Sequence, residues 1–153
     1  MNQIAQTNLT ANRRWIALGA VLAAAAVVMG AFGAHGMEDY LAQFENGARR
    51  MDVWKTAAHY HIIHAVGLIL VGLTPSAKPK LINFAAWLLV IGIAIFSGLL
   101  YVYSYSDIRI LGAFVPIGGV AMIAGWITFA VAAYPQRSLE IVPKQLPNNE
   151  PKH

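Results

Sequence analysis

The chain alternates between long apolar stretches and short polar segments. Four stretches carry no charged side chain, and each approaches or exceeds the roughly 20 helical residues that cross the hydrocarbon core of a bilayer. These stretches are continuously apolar, so they predict transmembrane helices and disfavour the alternating strands of a β-barrel. The predicted fold is therefore all-α, an integral membrane antiparallel four-helix bundle. Its spans lie at about residues 15–34, 57–74, 82–104 and 111–134.

Composition and chain ends agree with this fold. Hydrophobic residues make up 58% of the 153 residues and charged residues 12%, against about 25% charged in soluble domains. Residues 1–14 are predicted to be a polar tail, residues 15–134 the transmembrane domain, and residues 135–153 a Pro-rich, disordered tail. The net charge of +4 would also suit a nucleic-acid-binding protein. However, the basic residues flank the spans, so we predict the lipid bilayer as partner and no nucleic acid.

The distribution of basic residues predicts the orientation. With four spans, both tails and the 75–81 loop share one side and hold seven Lys and Arg residues, against four on the other side. Short cytoplasmic loops are enriched in Lys and Arg, so both termini are predicted to be cytoplasmic.

Small residues spaced four apart predict close helix packing, because lipid offers no hydrophobic drive for helix association. The first span is richest in such pairs, so we expect it at the centre of the bundle, with homodimerisation through such a face as the alternative. The pairs are Gly19–Ala23, Ala26–Gly30, Gly30–Ala34, Ala94–Gly98 and Ala121–Gly125.

Two further segments depart from a plain apolar helix. Pro116, followed by Gly118 and Gly119, predicts a distorted or late start of the fourth helix, with a re-entrant segment as the alternative. In the first loop, apolar residues recur at helical spacing, which predicts either an amphipathic helix along the membrane surface or a solvated loop. Those residues are Met37, Leu41, Phe44, Ala48 and Met51.

Polar side chains inside the spans are costly in lipid and mark candidate functional positions. Topology gathers them in the half of the bundle opposite the termini, and His61 and His64 share a helical face at a spacing of three. The candidate polar cluster comprises His35, Tyr60, His61, His64, Ser97 and Tyr101.

This cluster has competing interpretations. His35, His61 and His64 are candidate ligands for a metal ion or haem, and His with Tyr could also hold a quinone headgroup or conduct protons. The structural alternative is interhelical hydrogen bonding that fixes the register of the bundle. No Asp, Glu or Cys accompanies the histidines within the spans. We therefore predict no cofactor, with a metal or haem as the alternative.

Four ordered motifs resemble a known family of membrane proteins. They are Gly30-Ala-Phe-Gly-Ala-His-Gly36, Trp54-Lys-Thr-Ala57 with Tyr60 and His64-Ala65, Phe96-Ser-Gly98 with Leu100-Tyr101, and Leu111-Gly112 with Pro116-Ile-Gly-Gly119 and Gly125-Trp126. Together they are similar to the DUF423 (UPF0382-type) family of small four-helix membrane proteins, over about residues 15–134.

The resemblance implies a fold of four spans and a location, the bacterial inner membrane, but no established activity. His35, His64, Ser97, Tyr101 and Pro116 fall on family motifs. His61 stands where the family pattern suggests Gln or another polar residue, and His59 falls on no motif position.

No catalytic or phosphate-binding motif is present, so we predict that the chain is not an enzyme. The predicted function is a structural or accessory membrane protein that associates with other membrane proteins or with itself. The alternatives are a metal-, haem- or quinone-binding protein and a small-solute or proton permease.

Overall fold

Four long helices form the described part of the protein. A computed structural model describes residues 3–75 and 78–134, with side chains from residue 12 onward. Helix α1 runs from Gln3–Phe32 through a π-helical turn, Gly33–Met37, into a last α-helical turn, Glu38–Leu41. Helix α2 is Gly47–Leu73.

The described second half of the chain also forms two long helices. Helix α3 comprises Pro79–Gly92, a π-helical turn Ile93–Ser97, and Gly98–Ser106. A 3₁₀ turn, Arg109–Ala113, leads into helix α4, Val115–Ala133. Within the described ranges, four helical stretches are long and apolar enough to cross a membrane: Asn12–Leu41, Gly47–Leu73, Pro79–Ser106 and Arg109–Ala133. The chain is therefore an all-α, antiparallel four-helix membrane bundle, as predicted.

Helices α1 and α2 extend beyond their predicted ends. The described part of the predicted N-terminal tail is helical from Gln3, while the predicted tail at 135–153 lies outside the described residues. Helix α2 starts ten residues before the predicted boundary at 57, so only residues 42–46 connect α1 to α2. The predicted boundary follows the last charged residue of this segment. Arg50 is nevertheless buried within the helix, at 4% exposed, because its guanidinium donates a hydrogen bond to the C-terminal end of α3.

Three of the five residues in the predicted amphipathic stripe belong to the core, and the other two are exposed. Met37 and Leu41 end α1, and Met51 lies in the first turns of α2. All three are buried in one cluster with Trp54 and Tyr101. The predicted surface helix is therefore wrong, because the stripe is split between two antiparallel helices that meet at a tight turn.

Helices α2 and α3 form the centre of the bundle. Helix α1 packs mainly on α2, helix α4 mainly on α3, and α2 contacts α3 along both of its halves and its π turn. Over the most apolar 18 residues of each span, 44% of the α2 segment is buried inside the bundle, against 17% of the α1 segment. The expectation that the first span lies at the centre is therefore wrong.

Small residues bring two helix pairs into backbone contact. A Cβ atom on Gly19 would lie 2.9 Å from the carbonyl oxygen of Ala65, so α1 and α2 can approach this closely only with glycine at that position. On the other pair, a Cβ atom on Gly125 would lie 2.9 Å from a Leu89 methyl and 3.4 Å from the carbonyl oxygen of Ala85. Packing through Gly19 and Gly125 is thus confirmed.

Two other predicted pairs do not serve packing within the described part of the chain. Cβ atoms on Gly30 and Gly98 would meet no atom of the described chain within 4 Å, and Ala34 and Ala94 are exposed. For Gly30–Ala34 and Ala94–Gly98, the packing prediction is wrong. Spacing alone does not reveal which face of a helix has a neighbour.

Helix α4 has the predicted late start. Pro116 lies in its first turn, where a missing N–H breaks no intrahelical bond. The 19 residues from Val115 to Ala133 are continuously α-helical, about 28 Å long, and do not form a re-entrant segment. Gly118 packs on the backbone of Phe96, within the π turn of α3.

Candidate intramembrane binding groove

The six candidate polar residues separate into three places. His61, Ser97 and Tyr101 lie together between α1, α2 and α3. Tyr60 and His64 pack with Phe96 and, from α4, Trp126. His35 is exposed on the π turn of α1. His61 and His64 therefore serve different sides of α2, although they are only three residues apart.

The His64 imidazole is already engaged within its own helix. Its Nδ1 lies 2.7 Å from the carbonyl oxygen of Tyr60, which can only accept, so Nδ1 carries the proton and donates. The ring stacks on Tyr60 with centroids 5.9 Å apart and lies 6.1 Å from the Trp126 ring. The His64 ring therefore packs between α2 and α4, and the Tyr60 ring contacts α3 through Phe96.

The other group lines a pocket of about 340 Å³. Its walls come from three helices and are almost entirely apolar, apart from His61, Ser97 and Tyr101. The contributing residues are Leu22 and Met29 of α1, His61 of α2, and Val90, Ile93, Ala94, Ser97, Gly98 and Tyr101 of α3. We call this pocket the α1–α3 groove.

Two polar atoms of the groove residues are buried without a partner. Within the described chain, His61 Nε2 and Ser97 Oγ have no hydrogen-bond partner, and their residues are 7% and 1% exposed. An unpaired buried polar group costs about 1–3 kcal/mol. The other imidazole nitrogen of His61, Nδ1, forms one long hydrogen bond within the described residues. It lies 3.5 Å from the Tyr101 hydroxyl.

The groove lies deep within the bundle. His61 is 14 residues after the start of α2 at Gly47 and 12 before its end at Leu73. It is also eleven residues, or about 16 Å along the helix, from Arg50. The observed helix puts His61 near its middle.

Small residues leave the groove open on the lipid side. Ala94 is exposed, and a Cβ atom added to Gly98 would meet no atom of the described chain within 4 Å. A bulky side chain at either position would occupy this opening. The residues predicted to pack helices therefore form the lateral access to the groove.

Trp54 contacts two residues that line the groove, Met29 and Tyr101. Its Nε1 donates to the carbonyl oxygen of Met29 at 2.9 Å, and its ring lies 4.7 Å from that of Tyr101. This approach requires Gly33, because a Cβ atom there would lie 2.6 Å from Trp54 Cδ1. Met29 and Trp54 were not among the predicted site residues. The resemblance motifs that contain Gly33 and Trp54 were the available signal.

The π turn of α3 presents Ile93 and Ser97 to the groove, and it is supported from behind by α4. Gly118 contacts the backbone of Phe96 in this turn, and a Cβ atom on Gly119 would lie 3.7 Å from the Phe96 ring. Pro116, Gly118 and Gly119 therefore lie outside the groove but shape its wall. Insertions of π geometry into α-helices occur often at functional sites.

The geometry does not assemble a metal centre from the predicted ligands. Across residues 3–75 and 78–134, no group of three or more His, Asp or Glu side chains could hold a metal ion. His35, His61 and His64 are not brought together. What the groove offers is an apolar space whose lining residues include His61, Ser97 and Tyr101.

Comparison with known proteins agrees with the four motifs. A family model described as "Protein of unknown function (DUF423)" matches residues 29–119. The UPF0382 membrane protein of Staphylococcus epidermidis is 44% identical over 118 residues, covering 77% of this chain and 93% of that protein. The chain belongs to the DUF423 family.

Further DUF423 relatives come from other bacteria. The UPF0382 membrane protein YwdK of Bacillus subtilis is 43% identical over 121 residues, covering 78% of this chain and 94% of its own. A relative in Staphylococcus haemolyticus is 41% identical over 120 residues, with 78% and 94% covered. No solved structure matches this chain. The relatives are membrane proteins by name, and their names assign no activity.

Proposed function

We propose that this DUF423 protein binds a small lipophilic molecule in the α1–α3 groove and holds its polar group with His61 and Ser97. The observation that carries the proposal is the pair of buried, unpaired polar atoms, His61 Nε2 and Ser97 Oγ, on residues of one apolar pocket. Buried polar atoms in native proteins are usually satisfied, and exceptions call for a reason. A ligand atom that pairs with both supplies that reason.

The chemistry of the two groups indicates what the ligand presents. The Tyr101 hydroxyl can donate to His61 Nδ1, which leaves the proton of the neutral imidazole on Nε2. Nε2 and the Ser97 hydroxyl are then both available as donors. A carbonyl oxygen, as in a quinone, ketone or ester, accepts two such bonds. Its apolar skeleton would contact Leu22, Met29 and Ile93.

The size of the groove suits this class of ligand. Binding pockets for small molecules measure about 300–1,000 Å³ and are lined mainly by apolar groups with a few polar ones. The groove, at about 340 Å³, lies at the lower end of that range. Its opening at Ala94 and Gly98 lets a lipophilic molecule enter from the bilayer without crossing water.

Binding without catalysis is the activity that we propose. In the described chain, Ser97 Oγ is hydrogen-bonded to no base that could activate it as a nucleophile. The polar groups of the groove are suited to hold and orient a ligand rather than to transform it.

The experiment compares the molecules that remain bound after gentle purification. Wild type, Gly98→Leu and Gly112→Leu are purified in mild detergent, extracted with organic solvent, and analysed by mass spectrometry. Gly98→Leu fills the groove opening, whereas Gly112 is an equally unobstructed glycine in the 3₁₀ turn outside it. We expect one lipophilic molecule to be retained by wild type and Gly112→Leu and lost from Gly98→Leu. Equal profiles in all three proteins would contradict the proposal.

The second candidate function is an accessory protein that associates with other membrane proteins or with itself. It is favoured by Gly30 and Ala34, a small-residue pair on α1 that the described chain leaves uncovered. Crosslinking in native membranes tests it. A crosslinked partner that is lost in Gly30→Leu supports this role, and a lone monomer in both proteins counts against it.

The basic residues support a location in the bacterial inner membrane with both termini cytoplasmic. In the described ranges, Arg13, Arg14, Lys78 and Lys80 lie at the end of the bundle nearest the termini. All five described acidic residues lie at the opposite end, namely Glu38, Asp39, Glu45, Asp52 and Asp107. Over the whole sequence, seven Lys and Arg residues lie on the side of the termini and four on the other side, and it is this excess that follows the positive-inside rule.

A further inference from the structure

A second pocket lies between α1 and α3, at the end of the bundle nearest the termini. It measures about 410 Å³ and is lined by Arg14, Trp15 and Leu18 of α1 and by Asn83 and Trp87 of α3. Tryptophan is enriched at membrane–water interfaces. The two tryptophan rings here meet edge to face, with centroids 5.4 Å apart. The pocket therefore lies where lipid headgroups meet the protein.

Asn83 presents a hydrogen-bond donor in this pocket. Trp15 Nε1 donates to Asn83 Oδ1 at 2.7 Å, which fixes the orientation of the amide because an indole N–H can only donate. The Nδ2 amino group donates to no atom of the described chain. Together with the Arg14 guanidinium, the pocket offers directed donors of the kind that bind phosphate oxygens.

The surrounding charge selects for an anion. Arg13 and Lys80 are also exposed at this end of the bundle. Among the described residues, the acidic side chains all lie at the other end of the bundle. The positive field here is thus not cancelled by a nearby described carboxylate, and anionic lipids are attracted to such basic segments.

We infer that Arg14 and Asn83 bind the phosphate of an anionic phospholipid headgroup, with Trp15, Leu18 and Trp87 in contact with its glycerol and upper acyl chains. The apolar side of the pocket favours a lipid over free phosphate, because Leu18 and Trp87 would otherwise face a hydrated ion. This site is separate from the α1–α3 groove in position and in ligand chemistry, so either can be present without the other.

The test is native mass spectrometry of the full chain in detergent, titrated with phosphatidylglycerol or phosphatidylcholine. Arg14→Gln removes the charge inside the pocket, and Arg13→Gln removes the neighbouring charge outside it. Asn83→Asp keeps an oxygen for Trp15 and replaces the amide donor by a carboxylate that repels phosphate.

We expect wild type to prefer phosphatidylglycerol, and Arg14→Gln and Asn83→Asp to bind it roughly tenfold more weakly, the effect of one charge-assisted hydrogen bond. Arg13→Gln should lose no more than about twofold, because an exposed charge acts only through a screened field. Equal losses in Arg13→Gln and Arg14→Gln would overturn the site in favour of diffuse attraction. Displacement of the lipid by millimolar inorganic phosphate would show a free-anion site and overturn the lipid assignment.

Discussion

Arg50 and Ser104 each donate a hydrogen bond to the backbone carbonyl oxygen of the other. Arg50 Nε lies 2.7 Å from Ser104 O, and Ser104 Oγ lies 2.7 Å from Arg50 O. Arg50 also donates to the carbonyl oxygen of Tyr105. The start of α2 and the end of α3 are therefore tied together, and a buried guanidinium satisfies carbonyls that the last turn of α3 leaves unpaired.

Removal of this guanidinium should destabilise the protein. We expect Arg50→Met to lose about 2 kcal/mol, because hydrogen bonds to a charged group contribute about 1.5–3 kcal/mol and the carbonyls would stay buried. The free energy of unfolding in mixed detergent micelles measures the loss. Arg49→Met is the control, since Arg49 is exposed, and should change stability by less than about 0.5 kcal/mol. Equal effects would refute this role of Arg50.

Two buried serines on α3 should respond in opposite ways to the loss of their hydroxyl. Ser104 Oγ has a partner, whereas Ser97 Oγ has none in the described chain. Ser104→Ala should cost about 1 kcal/mol, the net contribution of a hydrogen bond. In delipidated protein, Ser97→Ala should leave the unfolding free energy unchanged or raise it, because a polar group without a partner is removed. Equal losses in both variants would show that Ser97 is satisfied and not held for a ligand.

Adjacent glycines on α4 provide a matched test of the π turn in α3. A Cβ atom on Gly118 would lie 2.9 Å from Phe96 Cα, whereas on Gly119 it would lie 3.7 Å from the Phe96 ring. Gly118→Ala should destabilise the protein by about 1–3 kcal/mol, the range seen for overpacking. Gly119→Ala makes ordinary contact and should be neutral or stabilising. Thermal unfolding in detergent distinguishes the two, and similar melting temperatures would argue against the close helix crossing.

Gly33 and Gly30 form a second matched pair on α1. Gly33→Ala would displace Trp54 and break its bond to the Met29 carbonyl, so we expect a loss of about 1–3 kcal/mol. Gly30→Ala meets open space in the described chain and should be neutral or stabilising. The fluorescence of Trp54 should change only in Gly33→Ala. A spectrum unchanged from wild type would place Trp54 elsewhere.

The proposed orientation can be measured with single cysteines, because the chain contains none. Glu45→Cys lies in the turn between α1 and α2, and Lys80→Cys lies in the first turn of α3. In intact spheroplasts, a membrane-impermeant maleimide should label Glu45→Cys and should label Lys80→Cys only after lysis. The reverse pattern would invert the topology.

The four spans follow directly from the sequence because hydropathy depends on composition within each helix. The boundary of α2 does not, since it depends on the C-terminal carbonyls of α3, which are distant in sequence and lie against Arg50. The site shows the same limit. The sequence predicts the polar residues of the groove, because polar side chains are energetically unfavourable in lipid. Only the arrangement of the bundle, however, turns His61 toward α1 and α3 and His64 toward α4.

Whether His61 holds a ligand is measured most directly by the ¹⁵N NMR signal of its side chain. The spectrum is recorded for protein in native-lipid nanodiscs and for delipidated protein, with the signal assigned by its loss in His61→Gln. We predict that the Nε2 resonance differs between the two preparations in wild type, and that in Gly98→Leu it matches the delipidated state in both. An Nε2 resonance that is the same in native-lipid and delipidated wild type would contradict the proposal that the α1–α3 groove holds a lipophilic ligand.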